Sequence, residues 1–318
     1  WLVAHTGDSK WAERLEMLAF NALPATISDD MWAHQYDQLS NQIACQIFPS
    51  KPIFRTNGKE AHLFGLEPNF GCCTANFNQG WPKFALSAFL HQEDTVLSAI
   101  PVPSSLKTDD ISITLNTNYP FENKFEYTVK AKRNMRLKVR VPSFAKKLFV
   151  NKKATAFCNE LEFDIPADQA TYIEIEFDTA PSLMLRPHTL RTVKCGSLVF
   201  SLPIEYEKRM LEYEKNGVER KYPYCDYEYI PKSEWSYAYS SPFFKLERRE
   251  MSGVPFASQK PPVTVKAKVK KIAWGLEDGY DTVCAKVPES ITPLEEEKEI
   301  ELYPYGCAKL RMTELPLI

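Results

Sequence analysis

The hydrophobic pattern of this 318-residue chain changes its period near residue 93. Beyond that point, apolar and polar residues alternate in several runs, which is typical of half-buried antiparallel strands. The clearest runs contain Ile111, Ile113 and Leu115; Met135, Leu137, Val139 and Val141, with Arg136, Lys138 and Arg140 on the opposite face; and Ile173, Ile175 and Phe177. Turn residues separate these runs at intervals that predict a β-sandwich domain.

The residues before about 92 have a helical pattern instead. Thr6-Gly7-Asp8-Ser9 resembles a helix start, and apolar residues then recur at helical spacing until Pro24, which is predicted to end the helix. These apolar residues are Trp11, Leu15, Leu18, Ala19, Ala22 and Leu23. The charged residues Glu13, Arg14 and Glu16 lie off this stripe, so they are predicted to form a solvated face.

A later helix is predicted to begin at Pro82, because proline is tolerated at the first helical position. Its apolar stripe contains Trp81, Phe84, Ala85, Ala88 and Phe89. The change of structural class near residue 93 indicates a domain boundary. A second β-rich region from about 183 includes Ser197-Leu198-Val199-Phe200, the alternating run from Val263 to Val269, and Ile300 with Leu302. The sequence thus predicts a multidomain α + β protein with domains at 1–92, 93–182 and 183–318.

Composition excludes several classes of partner and chemistry. The net charge of −2 gives no indication of binding to nucleic acid. No apolar run approaches the roughly 20 residues of a membrane span. The Walker A, Gly-x-Gly-x-x-Gly, Gly-x-Ser-x-Gly and His-Glu-x-x-His motifs do not occur. The chain begins with Trp1, and we expect an N-terminal part to precede it, so the sequence does not decide between a cytoplasmic and a periplasmic or secreted protein.

Cys72 and Cys73 are adjacent in Gly71-Cys72-Cys73-Thr74-Ala75-Asn76. Neighbouring cysteines do not readily bond to each other. The pair can therefore be two core thiols, halves of separate disulfides, or two thiolates directed at one centre. A long segment at 48–70 precedes it and is predicted to be a loop, so the pair would lie in a loop just before a helix, where the amide dipoles favour a thiolate. Both thiolates could bind one zinc ion, with Cys45 or Glu67 as candidate third ligand.

Two aromatic segments are further candidates for ligand binding. Asp30-Met31-Trp32-Ala33-His34-Gln35-Tyr36 suits a sugar or another polar ligand, although an ordinary half-buried turn explains it better. A second set of aromatic residues could stack on sugars, although packing is the favoured interpretation. This set contains Tyr222, Tyr224, Tyr227, Tyr229, Trp235, Tyr237 and Tyr239.

The sequence resembles the β-L-arabinofuranosidase family, glycoside hydrolase family 127 with its relatives, along the whole chain. The most specific element is the cysteine pair followed by Asn76. The other matching elements are Glu13-Arg14-Leu15-Glu16 through Asn21, His34-Gln35-Tyr36, Leu137-Lys138-Val139-Arg140-Val141-Pro142-Ser143, Gly196-Ser197-Leu198-Val199-Phe200, and Pro304-Tyr305-Gly306-Cys307 with Leu310-Arg311.

The resemblance implies the last helices of an (α/α)6 toroid followed by two β-sandwich domains. It also implies a retaining glycoside hydrolase that uses Zn²⁺. Carried over by motif, Cys72 is the nucleophile and a zinc ligand, Cys73 is a zinc ligand, and His34 and Tyr36 lie near the sugar.

The family's Glu-x-Cys zinc ligands and its acid/base Glu would precede residue 1, so we expect the intact protein to be active and this chain alone to be inactive. The expected partner is a carbohydrate substrate, and the sequence does not decide whether the protein forms a homodimer. The alternative function is a non-catalytic carbohydrate-binding or structural module. Thiol redox chemistry is disfavoured, because adjacent cysteines lack the two-residue spacer of the common redox motif.

Overall fold

A computed structural model of the chain describes residues 2–54, 57–65, 71–251 and 253–318. Its helices are short: α1 Leu2–Thr6, α2 Ser9–Met17, α3 Leu23–Ala25, α4 Gly71–Phe77 and α5 Gly80–Ala85, with a π-helical turn at Leu18–Ala22 and 3₁₀ turns at Pro187–Thr189 and Tyr305–Cys307. None of the described helices is long and apolar enough to cross a membrane.

Strands make up most of the regular structure. The first thirteen are β1 His34–Gln35, β2 Asn41–Gln42, β3 Phe64–Gly65, β4 Phe89–Gln92, β5 Thr95–Ser98, β6 Ser104–Lys107, β7 Ile111–Asn116, β8 Lys124–Ala131, β9 Met135–Arg140, β10 Lys146–Val150, β11 Lys153–Thr155, β12 Glu160–Ile165 and β13 Ala170–Asp178. The others are β14 Ser182–Leu185, β15 Arg191–Cys195, β16 Leu198–Pro203, β17 Tyr206–Leu211, β18 Tyr213–Lys215, β19 Val218–Arg220, β20 Asp226–Pro231, β21 Tyr237–Tyr239, β22 Lys245–Arg248, β23 Val263–Lys271, β24 Lys298–Pro304 and β25 Arg311–Met312.

The chain forms two compact units. Unit 1 consists of Trp1–Phe20 and Gln79–Ala180, and unit 2 of Asn21–Asn78 and Pro181–Ile318. Neither unit is one continuous stretch of sequence. The three-domain division at 1–92, 93–182 and 183–318 stays a prediction.

Unit 1 is built on two sheets. One has the order β11-β10-β13-β8-β7-β6 and the other the order β12-β9-β5-β4. The alternation predicted from the sequence is confirmed in β7, where Ile111, Ile113 and Leu115 are buried and the residues between them are exposed. All pairs within these sheets are antiparallel except β5 with β9, which are parallel.

The prediction of a solvated charged face on the first long helix is wrong for Glu16. Its side chain is fully buried and forms an ion pair with Arg140 of β9. Tyr119 Oη donates a hydrogen bond of 2.7 Å to Glu16 Oε2, and Arg140 Nε donates one of 2.6 Å to the Ala99 carbonyl. Arg140 was likewise expected on the exposed face of its strand, yet it is buried. A buried charge is tolerated only when it is paired and hydrogen-bonded, which is the case here.

Helix boundaries also differ from the sequence-based expectations. α2 begins after Asp8, whose Oδ1 accepts a hydrogen bond of 2.9 Å from the Lys10 N–H, as the helix-start pattern predicted. The helical run continues through the π-helical turn into α3 and ends at Ala25, which agrees within one residue with the end predicted at Pro24. The second predicted helix ends at Ala85, because Phe89 begins β4 and pairs with Ser98.

Unit 2 contains a four-stranded sheet with the order β1-β3-β20-β17 and a larger sheet built around β14-β15-β16-β24-β23-β21. The second β-rich region is confirmed, since the expected runs lie in β16, β23 and β24. Helix was predicted up to residue 92, yet the described residues between Thr26 and Gly65 contain strands and irregular chain. These strands matter because β1 carries His34.

Candidate functional site

The two cysteines lie in the first turn of α4 rather than in a loop ahead of a helix. Cys72 is exposed and Cys73 is half-buried. Both thiols are free, and their Sγ atoms are 3.9 Å apart. Asn76 Nδ2 donates a hydrogen bond of 2.8 Å to the Cys72 carbonyl. The pair therefore presents two convergent sulfur atoms and is not a pair of core thiols.

His34 is held against the same helix. Its Nε2 lies 3.0 Å from Thr74 Oγ1, and its ring stacks on Phe77 with the centroids 6.0 Å apart and the planes at 6°. His34 is buried, and its register partner across β1 and β3 is Gly65. The structure thus brings His34 to the helix that carries the cysteine pair.

Tyr36 lies close to the two thiols. Desolvation raises the pKa of its hydroxyl, and the thiolate forms of Cys73 and Cys72 raise it further, as does Asp37. Burial likewise raises the pKa of Cys73 to about 11, with further contributions from Cys72 and Asp37. Negative charge is therefore disfavoured at this place unless a cation is close by.

The segment after β1 is anchored on both sides of Tyr36. Before it, Gln35 is buried and its Nε2 donates hydrogen bonds to Gln42 Oε1, Cys45 Sγ and the His62 carbonyl, at 3.2, 3.2 and 2.9 Å. Beyond it, Arg311 donates from Nη2 to the Leu39 carbonyl at 2.8 Å and to the Gln38 side chain at 3.1 Å. Arg311 is itself fully buried. These bonds fix irregular chain that has few sheet hydrogen bonds of its own.

Gly65 is required opposite His34 for a steric reason. A Cβ at this position would overlap the carboxylate of Asp226. That carboxylate accepts a hydrogen bond of 2.9 Å from Tyr213 Oη. A larger residue at position 65 would therefore displace either Asp226 or the strand that carries His34.

The cysteine pair fits two positions of a zinc site. Two Zn–S bonds of about 2.3 Å in tetrahedral geometry place the sulfur atoms about 3.8 Å apart, close to the observed separation. Among the residues that the structure describes, no three His, Cys, Asp or Glu side chains form a group that could hold a metal ion. Cys45 is fully buried, and burial raises its pKa to about 12. Glu67, the other candidate third ligand, lies outside the described residues.

Packing explains most of the tyrosine-rich set, as the sequence favoured. Tyr227, Tyr229, Tyr237 and Tyr239 are buried. Tyr229 stacks between two other rings, with centroid distances of 4.6 Å to Phe64 and 4.5 Å to Tyr206. Tyr222 and Tyr224 are exceptions, since both are exposed.

Sequence reasoning missed three neighbours of the site. Asp37 follows Tyr36 directly, and its charge acts on both Tyr36 and Cys73. Phe77 is the last residue of α4 and lies four residues after Cys73, a spacing that places two helical residues on the same side. Arg311 belongs to one of the sequence elements that resemble the family, and no local pattern in the sequence links it to residues 38 and 39.

Residues 96–182 match the family model described as "Beta-L-arabinofuranosidase, GH127 middle domain". The predicted resemblance to the β-L-arabinofuranosidase family is thereby confirmed for this part of the chain. The matched residues include none of the candidate site residues of unit 2. No curated protein matches the chain.

Solved structures share the fold over the whole chain. A GH127 β-L-arabinofuranosidase from Geobacillus stearothermophilus T6 has a TM-score of 0.62 at 13% identity, with 100% of this chain and 48% of that chain covered. A glycoside hydrolase has a TM-score of 0.62 at 16% identity, with 99% and 50% covered. A GH127 β-arabinofuranosidase has a TM-score of 0.53 at 14% identity, with 100% and 47% covered. The chain spans about half the length of these structures.

Proposed function

We propose that this chain is part of a retaining glycoside hydrolase that acts on β-L-arabinofuranosides or related plant-glycan sugars. In this proposal Cys72 is the nucleophile and a zinc ligand, and Cys73 is a second zinc ligand. The observation that carries the proposal is the pair of free thiols 3.9 Å apart beside His34 and Tyr36. The GH127 middle domain in the same chain supports it.

The finer architecture belongs to the same proposal. Residues 1–92 would be the end of an (α/α)6 toroid, and two β-sandwich domains would follow. The short helices α1 to α5, all of which precede residue 93, support this assignment. The two sheets of unit 1 support the first sandwich.

The two thiols are the groups that would hold zinc. Zinc, when bound, would keep them deprotonated at neutral pH. Cys72 is the more exposed of the two and is therefore suited to attack a substrate, whereas the half-buried Cys73 is suited to bind the metal alone. The remaining ligands are expected in the Glu-x-Cys element that the resemblance places before residue 1.

The reaction would proceed by two displacements at the anomeric carbon. Cys72 Sγ forms a bond to that carbon while the glycosidic C–O bond breaks, and a carboxylic acid protonates the leaving oxygen. The resulting carboxylate then takes a proton from water, whose oxygen displaces Cys72 from the sugar. Two inversions give net retention, as in the carboxylate-based enzymes. The carboxylic acid is the upstream Glu that the resemblance implies.

His34 and Tyr36 would have different roles in this site. His34 is buried and its Nε2 lies within hydrogen-bond distance of Thr74 Oγ1. Its role would therefore be to fix the orientation of α4 relative to β1. Tyr36 is half-buried, so its hydroxyl is the better placed of the two to donate a hydrogen bond to a sugar hydroxyl.

Hydrolysis of a chromogenic β-L-arabinofuranoside tests the proposal. The assay compares this chain with a longer protein that contains it, and we expect turnover only in the longer protein. In that protein, Cys72→Ser should reduce kcat at least about a thousandfold, because a serine hydroxyl is a far weaker nucleophile than a thiolate. The matched control is Cys158→Ser, which removes a free thiol of unit 1 and should leave kcat unchanged. Full activity of Cys72→Ser would contradict the proposed role.

Metal analysis tests the zinc ligands separately. We expect about one zinc per longer protein, and a large loss of zinc in Cys73→Ser with no loss in Cys158→Ser. Hydrolysis that survives complete removal of zinc would contradict the metal's part in the proposal while leaving the substrate class intact.

A further inference from the structure

Two exposed aromatic rings meet at a right angle in unit 2. Trp32 and Tyr224 have their ring centroids 5.3 Å apart and their planes at 88°. Trp32 is 46% exposed and Tyr224 is 48% exposed, although the residue that follows each of them in the chain is buried. Exposed aromatic residues that contact each other are candidates for a binding surface. Their geometry offers a ligand one ring face and one ring edge.

The backbone around Trp32 is rigid. The turn that carries it is closed by a hydrogen bond of 2.8 Å from the Ser28 N–H to the Ala33 carbonyl, and by a β-bridge between Ile27 and His34. Asp30 Oδ1 accepts hydrogen bonds from Ser28 Oγ at 2.5 Å and from the Trp32 N–H at 3.1 Å. The Trp32 side chain therefore extends from a preformed turn and needs little ordering on binding.

A carboxylate lies in the turn that carries Trp32, and the charge of Lys208 acts on it. Asp30 is partly buried, which raises its pKa, but the hydrogen bonds from Ser28 and Trp32 and the charge of Lys208 outweigh this effect and lower it. Lys208 Nζ lies 3.9 Å from the ring centroid of Tyr227. An ionised carboxylate and an ammonium group beside an aromatic surface can bind hydroxyl groups, whereas a wholly apolar partner would bury both charges at a cost.

The rings are close to the candidate site along the chain. Trp32 and His34 are two residues apart, so their Cα atoms are separated by at most about 7 Å. The turn that carries Trp32 leads directly into β1, which carries His34, and Tyr36 follows β1. A glycan whose reacting sugar lies at Tyr36 could therefore extend to Trp32.

We propose that Trp32 and Tyr224 form a subsite for a second sugar ring of the glycan, next to the ring that reacts at Cys72. The inference rests on the proposed function, because it requires a glycan at Cys72. The C–H groups on one side of a sugar ring carry partial positive charge and are attracted to the negative face of an aromatic ring. Asp30 and Lys208 would bind the hydroxyl groups at the edge of that sugar. The enzyme would thus select oligosaccharides over arabinosides with small leaving groups.

Ligand titration of the longer protein tests the subsite. All variants carry Cys72→Ser so that the ligand is not hydrolysed, and the probes are a β-linked L-arabinofuranosyl disaccharide and methyl β-L-arabinofuranoside. Trp32→Ala and Tyr224→Ala should each weaken binding of the disaccharide about tenfold, which corresponds to about 1.4 kcal/mol. Neither change should alter binding of the methyl glycoside. Trp32→Phe keeps an aromatic face and should retain most of the affinity.

The matched control is Tyr172→Ala, which removes an exposed tyrosine of unit 1 and should leave both affinities unchanged. Unaltered binding of the disaccharide by Trp32→Ala and Tyr224→Ala would overturn the subsite and leave the proposed function standing. An equal loss for both probes would also overturn it, because the rings would then act on the reacting sugar. If no variant or parent binds or hydrolyses any arabinofuranoside, the proposed function fails and the subsite with it. A loss of self-association in Trp32→Ala, with unchanged sugar binding, would assign the rings to a protein interface instead.

Discussion

The two units hold their buried cations in different ways. In unit 1, Glu16 and Arg140 form an ion pair that links α2 to a strand. In unit 2, the buried cations Lys309 and Arg311 are held mainly by backbone carbonyls. Lys309 Nζ donates to the Pro24 and Gly306 carbonyls at 2.9 and 3.1 Å, and its nearest carboxylate oxygen, that of Asp29, is 3.8 Å away.

This difference follows from the kind of backbone that each buried charge contacts. The ion pair of unit 1 joins two regular elements whose backbone groups are already satisfied. The cations of unit 2 bind carbonyls in turns and irregular chain, where sheet hydrogen bonds do not reach them. Burial lowers the pKa of Lys309 to about 8, because removing the charged ammonium group from water has a free-energy cost. The cost falls in the unit that carries the candidate site, where irregular segments have to be fixed in place.

The largest stability effect is expected from Glu16→Ala in unit 1. The change removes the carboxylate that accepts hydrogen bonds from the buried Arg140 guanidinium and from the Tyr119 hydroxyl, so unit 1 should lose about 3–5 kcal/mol. Amide hydrogen exchange measures the loss of stability in each unit separately, through the amides of β7 and β8 for unit 1 and of β16 for unit 2. Glu162→Ala, which removes an exposed carboxylate of unit 1, is the matched control. A loss below 1 kcal/mol would show that the pair contributes little.

This buried pair also marks the limit of what the sequence predicts. The alternation in β7, β9 and β13 identified the strands of unit 1, because burial of one sheet face dictates the pattern locally. Glu16 and Arg140 are 124 residues apart, and each follows the pattern of a solvated residue in its own element. Only the folded chain places them opposite each other.

The candidate site divides in the same way. Cys72 and Cys73 were identified from their adjacency, and His34 and Tyr36 from a resemblance, while their proximity depends on the pairing of β1 with β3. The sequence placed the cysteines in a loop, because the long segment at 48–70 precedes them and the next helical pattern begins only at Pro82, whereas in the structure they lie in the short helix α4. Asp37 and Phe77 have no signal beyond lying next to predicted residues.

A somewhat smaller effect is expected from Arg311→Ala in unit 2, about 3 kcal/mol. The change removes the hydrogen bonds that Arg311 donates to the carbonyls of Leu39, Ala308 and Lys309. Because Leu39 lies three residues beyond Tyr36, activity of the longer protein should fall as well. Protection of β16 and the kcat for an arabinofuranoside measure the two effects.

Arg311→Lys separates charge from geometry. One ammonium group cannot reach carbonyls on both sides of the planar guanidinium, so lysine should restore less than half of the stability. Full recovery by lysine would mean that unit 2 needs only a positive charge here. Unit 2 would then resemble unit 1, where the attraction between opposite charges is the main source of stability for the buried cation.

His62 should make unit 2 the more acid-sensitive unit. Burial, together with a smaller contribution from the charge of Arg311, lowers its pKa from 6.5 to about 3. The folded state therefore keeps the imidazole neutral, while the unfolded chain takes up a proton below about pH 6.5, so stability is lost as the pH falls from 6.5 towards 3. Between pH 6.5 and 5 the loss should be about 2 kcal/mol.

The matched variant is His62→Phe, whose ring can occupy the space beside Phe48 and Phe54 and does not titrate. Its unit 2 should lose about 2 kcal/mol less than the parent over the same pH range, while unit 1 should respond identically in both proteins. Parallel pH profiles of parent and variant, followed through the amides of β16, would contradict the assignment.

The smallest effect is expected from an exposed ion pair of unit 1, which tests whether burial or charge distinguishes Glu16. Lys138 Nζ and Glu160 Oε1 are 2.8 Å apart across β9 and β12, and both side chains are partly exposed. A double-mutant cycle with Lys138→Ala and Glu160→Ala should give a coupling energy of about 0.2–1 kcal/mol, which falls further in 1 M salt because ions screen exposed charges. The cost of Glu16→Ala should not depend on salt, since solvent does not reach that pair. If both effects decline equally with salt, Glu16 and Arg140 are accessible to ions, and the contrast between the two units would rest on unit 2 alone.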